Sequence, residues 1–241
     1  MPDPALTATH RRRLREVWRS AGWPCQDMVE VDLLAAGLLQ RLRDAQGRET
    51  LRVTDAGLQA MVAGRDRHRQ ALGEHEALAE RVALEMQRAG RLAWRGLALR
   101  APLEPAAEGE PTRWVMAVPD VFSIRHTTRE DAVEPVAHEV KVRRADLLSD
   151  LRRPDKHAAY RALASQCWYV LKAGIGEAAD IPDSCGVMVA HPGCAGGPAF
   201  GELQVLRDAP KRSHRLPLAT WMALARANAE PPLADDAQAL L

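Results

Sequence analysis

The stretch from Val136 to Val142 places the tightest constraint on what this chain can become. Val136, His138, Val140 and Val142 alternate there with Ala137, Glu139, Lys141 and Arg143. Successive side chains of a strand point to opposite faces, so a strand here has one mostly apolar side, while Glu139 and Lys141 share the other. His138 falls on the apolar side and reads as a core histidine, not a metal ligand. A second run, Trp114 to Ile124, also reads as a strand, and the turn-rich segment Arg125 to Asp131 folds the two into a hairpin. That pairing sets Asp120 beside Glu139. Two carboxylates hold a hard divalent cation through oxygen, and a nearby lysine positions a nucleophile or offsets charge developing on a phosphoryl group. The constellation suits phosphodiester hydrolysis.

Pro119-Asp120 followed by Glu139-Val140-Lys141 resembles the PD-(D/E)XK nuclease superfamily, whose metal site is marked by an Asp, a spacer and then Glu-x-Lys. The surroundings resemble its MmcB-like DNA repair proteins: Lys141-Val-Arg-Arg-Ala-Asp-Leu-Leu-Ser-Asp-Leu-Arg-Arg-Pro, Tyr160, Cys167-Trp-Tyr-Val-Leu, Cys185-Gly-Val-Met-Val-Ala and Val205-Leu-Arg-Asp-Ala-Pro. The likeness runs roughly from Trp114 to Arg226 and leaves the first third uncovered.

The resemblance implies an α/β fold, a restriction-endonuclease-like mixed sheet flanked by helices. It implies a site in which Asp120, Glu139 and the Val140 carbonyl hold Mg2+, with Mn2+ able to substitute, and Lys141 orients the attacking water. The helix before the first core strand often lends such sites a glutamate, here Glu80 with Glu76 as substitute; a surface glutamate on a charged face is the competing reading of either. Lys156 and Tyr160 lie one helical turn apart and share a face, which the resemblance turns toward the site. Gln166 does not fit the Gln-x-x-x-Tyr order of some relatives. Positive charge clusters just past Lys141, so Arg143, Arg144, Lys156 and Tyr160 are expected along a phosphate backbone, although a solvated helix face carries charge in the same way.

The first third reads differently. Thr7 or Thr9 can cap a helix over His10 to Ala21 with Leu14, Val17 and Trp18 on one side, ended by Gly22 and Pro24. Asp27 to Leu42 carries further apolar residues at helical spacing. Gly47 then offers a tight turn between two short strands, and Thr54 or Asp55 caps another helix. This order, with the phrase Val53-Thr-Asp-Ala-Gly-Leu, resembles a mostly α winged helix-turn-helix domain. Arg41, Arg43, Arg48 and Arg52 around the hairpin are then candidate phosphate contacts, with a charged dimerisation or docking surface as the even alternative.

The polar stretch Arg65 to His75 fits a linker or an exposed helical connection, which divides the chain into 1–72 and 73–241. An amphipathic helix over His75 to Ala89 ends at Gly90, Leu92 to Leu103 makes the first core strand, and Glu104 to Thr112 is a loop. Cys167 to Lys172 and Cys185 to Ala190 read as central strands. A loop over Pro192 to Pro198 leads to an edge strand at Gly201 to Leu206, then a helix over Leu218 to Ala229 and a frayed Glu230 to Leu241.

Aromatic residues make up only 4% of the chain, so Leu, Val and Ala must supply most of the core. The four cysteines lack C-x-x-C spacing and read as buried free thiols. A net charge of +1 argues against a globally basic coat but leaves local basic faces open. Neither a signal peptide nor a bilayer-length apolar run is visible, so a cytoplasmic protein away from membranes is expected. Expected partners are DNA and, for cutting both strands, a second copy in a homodimer; no small-molecule cofactor is expected. The reading is a metal-dependent DNA endonuclease or repair nuclease with a DNA-binding first domain. The alternative is a catalytically silent nuclease fold that binds or scaffolds.

Overall fold

A computed structural model describes residues 6–103, 111–194 and 197–231. Most of the expected loop at 104–112, part of the one at 192–198 and nearly all of the tail expected to fray lie outside the described residues, as do the side chains of 65–69. Two compact units are present, Met1–Leu72 and Gly73–Leu241.

The first unit begins with α1 (Ala8–Arg19), capped by Thr7, whose hydroxyl accepts from the His10 amide while its own amide donates to the His10 ring. Leu14 and Val17 are buried, but Trp18 is exposed and does not join them. Asp27 caps α2 (Met28–Ala35) through a 2.9 Å bond from the Glu30 amide. The helical spacing that continues to Leu42 is overridden at Gly37, whose φ of +68° reverses the chain. The Leu38 amide donates to Leu33 and the Gly37 amide to Leu34, a Schellman stop that satisfies the last carbonyls. Leu39 therefore opens a strand, β1 (Leu39–Arg43), paired antiparallel through the Gly47 turn with β2 (Glu49–Val53). Leu14, Val17, Leu33, Leu38, Leu39, Leu51 and Val53 form this unit's core.

Thr54 caps α3 (Asp55–Arg88), its hydroxyl accepting from the Gly57 amide. The sequence allows a linker or an exposed helical connection at Arg65 to His75. The backbone is helical throughout, and the helix expected from His75 is the second half of α3.

In the second unit follow β3 (Arg91–Arg95), β4 (Leu99–Leu103), β5 (Arg113–Ala117), β6 (Val121–Arg125), β7 (Val136–Lys141), α4 (Arg144–Leu151), α5 (Pro154–Leu163), β8 (Gln166–Lys172), β9 (Gly186–Pro192), β10 (Phe200–Arg207) and α6 (Leu218–Arg226). The fold is mixed α/β. Among the described residues a six-stranded sheet runs β10-β9-β8-β7-β6-β3, with β7, β8 and β9 parallel and the flanking pairs antiparallel. Two expected long strands are broken. Leu92 to Leu103 turns at Gly96, φ +58°, and Trp114 to Ile124 is cut at Pro119, which cannot donate to a ladder. The halves β4 and β5 pair with each other instead, while β3 and β6 stay in the main sheet.

Both faces of β7 are covered, so all six of its residues are buried. Val136 and Val140 belong to an apolar cluster with Leu78 and Val82 of α3 and Trp168 and Val170 of β8. Ala137 packs in a second cluster with Tyr160 and Leu163 of α5, Leu147 of α4 and Leu224 of α6. Cys167 and Cys185 are buried free thiols as expected, but Cys25 and Cys194 are free and exposed.

His138 lies in the interior, neither ring nitrogen finding a hydrogen-bond partner. Burial, then the nearby Arg91 guanidinium, pushes its pKa from an ordinary 6.5 down to about 3. Between those values the unfolded chain takes up a proton that the folded chain refuses, so stability falls as the pH falls through that window. His138→Leu is expected to flatten that part of the pH profile of urea unfolding; an unchanged slope contradicts the assignment.

Candidate active site

The strand break at Pro119 is what delivers Asp120. Val121 pairs with His138 across β6 and β7, so Asp120 stands at the end of the ladder, next to Glu139 and Val140. Its Oδ2 accepts from the Val140 amide at 2.7 Å, and its backbone carbonyl accepts from the Gly96 amide at 3.1 Å. Its Oδ1 lies 3.4 Å from His75 Nε2, on α3. The Asp120 interaction, against burial, raises the His75 pKa.

Glu139 and Lys141 share a face of β7, and the Lys141 ammonium donates to Glu139 Oε1. Lys156 of α5 donates to the same oxygen and, at 2.6 Å, to Asp150 Oδ1. Lys141 is 3.6 Å from that Asp150 oxygen. The Tyr160 hydroxyl sits 2.7 Å from Glu139 Oε2 and 2.9 Å from the Val118 carbonyl, and its one proton serves either acceptor. Tyr169 of β8 donates to Asp150 Oδ2 at 2.7 Å, while its oxygen lies 3.1 Å from His157 Nε2.

The network fixes the protonation states. Burial works against the Asp150 carboxylate, but the Lys156 and Tyr169 hydrogen bonds and the lysine charges outweigh it, and its pKa falls. Burial also opposes the Lys156 ammonium, yet the Glu139 charge and the bonds to both carboxylates raise its pKa. Burial first, then the neighbouring carboxylates, pushes both tyrosines far up, so each is a neutral donor. Desolvation lowers the His157 pKa and favours a neutral ring.

The three groups singled out by the sequence motif, Asp120, Glu139 and Lys141, therefore meet at the carboxyl end of β7, where open parallel sheets usually seat ligands. Other expectations need correction. Glu80 is exposed and makes no described hydrogen bond or ion pair with these groups, and Glu76 pairs with Arg95 at 2.7 Å. The residue of α3 that reaches the site is His75. Lys156 and Tyr160 do share the face turned toward the site, and both bond to Glu139. Arg144 pairs with Asp180 at 2.9 Å on the surface, and Arg143 is the half-buried residue that precedes α4.

In the first unit Arg41 pairs with Glu30 and Glu49, Arg43 with Glu49 and Arg48 with Asp44, while Arg52 is exposed. The pairs of Arg43 and Arg48 lie at the surface and are weak, whereas Arg41 reaches the buried Glu30. Gln166 donates to the Ala209 carbonyl and is structural. Asp150, Tyr169, His75 and His157 escaped the sequence reading because nothing in their spacing ties them to Glu139.

Among the described residues no three His, Cys, Asp or Glu side chains form a metal cage. Magnesium keeps several waters and commonly takes one or two carboxylates, so Asp120 and Glu139 with the Val140 carbonyl form a donor set of the right hardness. Cationic groups already lie against Glu139. Val140 is fully buried with its amide on Asp120, which holds the two carboxylates in register.

No protein-family model and no curated protein matches this chain. A solved structure of SPO1766, a protein of unknown function from Silicibacter pomeroyi, aligns over 66% of this chain and 83% of that one, at 16% identity and a TM-score of 0.38. Likeness at that level bears on neither fold nor function.

Replacing Tyr169 by Phe removes the donor to Asp150 Oδ2 and is expected to lower the unfolding free energy by about 1–3 kcal/mol in urea titration. An unchanged midpoint contradicts a buried Asp150 carboxylate dependent on that hydroxyl.

Proposed function

We propose that this protein is a magnesium-dependent DNA endonuclease or repair nuclease that hydrolyses phosphodiester bonds in the cytoplasm, with its first unit binding DNA in the manner of a winged helix. The observation that carries this reading is the convergence of Asp120, Glu139 and Lys141 at one strand end, among buried charges that a purely structural sheet does not need. Removing charges from water is expensive, and well-packed apolar residues serve stability as well or better.

Asp120 and Glu139, with the Val140 carbonyl, would hold the cation. When bound, it would polarise the scissile phosphate and acidify the attacking water. Lys141 donates toward the reacting phosphoryl oxygens and offsets their charge, a role that is strong because the site is dry. The Val140 amide fixes the Asp120 carboxylate, and Tyr160 fixes the second oxygen of Glu139, so neither rotates away as charge develops. Arg41, Arg43, Arg48 and Arg52 supply sequence-independent backbone affinity.

A second reading is a silent nuclease fold that binds DNA or a partner without cutting. It is favoured by one fact: Glu139 already accepts from Lys141, Lys156 and Tyr160, so its charge is compensated from within.

Asp120→Ala and Lys141→Ala are each expected to reduce magnesium-dependent cleavage of labelled DNA to background while duplex affinity stays within a few-fold. Full cleavage by both variants would exclude this site; no cleavage by the unaltered chain on linear, nicked, flapped and branched substrates favours the silent reading.

A further inference from the structure

Glu139 and Asp150 face two ammonium groups, Lys141 and Lys156, while Asp120 lies against His75. The two lysines are not equivalent. Lys141 belongs to β7, is nearly buried and lies 3.6 Å from Asp150, beyond a hydrogen bond. Lys156 is on α5, with about a quarter of its side chain exposed, and bonds fully to both Glu139 Oε1 and Asp150 Oδ1. Its ammonium also lies 5.4 Å from the centre of the Tyr160 ring, whose face attracts a cation. If Lys156 leaves Glu139 it keeps an ion pair and a ring face. Lys141 would keep only the longer, 3.6 Å ion pair to Asp150.

We propose that Lys156 is a competing internal cation for Glu139, yielding Oε1 to a divalent metal by falling back on Asp150. This rests on the metal reading of the site given above. The exchange sets the metal affinity of the protein low, because each binding event displaces a paired ammonium. It also couples metal to substrate. With Lys156 retained on Asp150, a divalent cation adds two positive charges to a cluster in which cationic side chains already stand against the carboxylates. A phosphodiester anion offsets part of that added charge, so the backbone and the cation each favour the other's binding. Lys156 and Asp150 are positioning residues in this scheme: they act through Glu139 and form no bond to the reacting atoms.

The test is calorimetric titration of the full chain with MnCl2 alone, so that the readout is binding and not turnover. Lys156→Gln, which keeps a polar side chain and removes the charge, is expected to bind Mn2+ at least about tenfold more tightly than the unaltered protein, equivalent to about 1.4 kcal/mol. Lys156→Arg keeps the charge and is expected to stay within about threefold of the unaltered protein, which separates charge from packing. Adding Asp120→Ala to Lys156→Gln abolishes the gain. Asp150→Asn weakens Mn2+ binding more in the unaltered chain than in the Lys156→Gln chain, because only the former needs the fallback acceptor.

Equal affinities for the unaltered and Lys156→Gln proteins, both lost with Asp120→Ala, overturn the competition and leave the metal site standing. Binding by neither overturns the metal site, and the competition with it. Equal weakening by Asp150→Asn in both backgrounds removes Asp150 from the exchange.

Discussion

The second unit depends on how four ionised side chains are buried at the end of one strand. Glu139 and Asp150 are almost entirely removed from solvent, and each would be costly alone. They are tolerated because Lys141 and Lys156 supply the opposite charges and Tyr160 and Tyr169 occupy the remaining carboxylate oxygens. Every element around β7 gives something to this arrangement. α5 brings Lys156 and Tyr160, α4 brings Asp150 from its last turn, β8 brings Tyr169, and the break at Pro119 frees Asp120 and the Val118 carbonyl. Apolar layers on both faces of the sheet lower the local dielectric and strengthen each pairing. The same dryness that makes unpaired charge expensive makes a correctly placed charge chemically strong.

The alternation from Val136 to Val142 made the strand, its apolar side and the Glu139–Lys141 neighbourhood legible, because period-2 patterning is a local property. The spacing of Lys156 and Tyr160 told which face they share. The partners of Glu139 were not legible: Asp150 and Tyr169 are brought in by helix packing and by parallel pairing, neither of which leaves a mark at fixed sequence distance. Strand ends were misread for a related reason. Trp114 to Ile124 and Leu92 to Leu103 are apolar enough to run on, and Pro119 and Gly96 stop them through missing donors and positive φ. In the first unit the leucines after Ala36 keep a helical rhythm, yet the Schellman turn at Gly37 makes Leu39 a strand residue. No sequence pattern marks a helical glutamate for the site, and Glu80 is exposed, with no described bond to the site.

The first unit has a small core of its own and carries much of its charge in surface pairs, with Arg43 against Glu49 and Arg48 against Asp44. Pairs of this kind contribute little to stability. Glu30 is the exception, fully buried and accepting from the Cys25 and Gln26 amides as well as Arg41, so it holds the loop before α2 and is structural. No helix is long and apolar enough to cross a membrane among the described residues.

The central claim is that Asp120 and Glu139 form a seat for a hard cation. Crystals soaked in MnCl2 and measured at the manganese absorption edge test it most directly. An anomalous peak within about 2.0–2.6 Å of a carboxylate oxygen from each of Asp120 and Glu139 is the result predicted. Peaks confined to the surface, with both lysines still on Glu139, would contradict it.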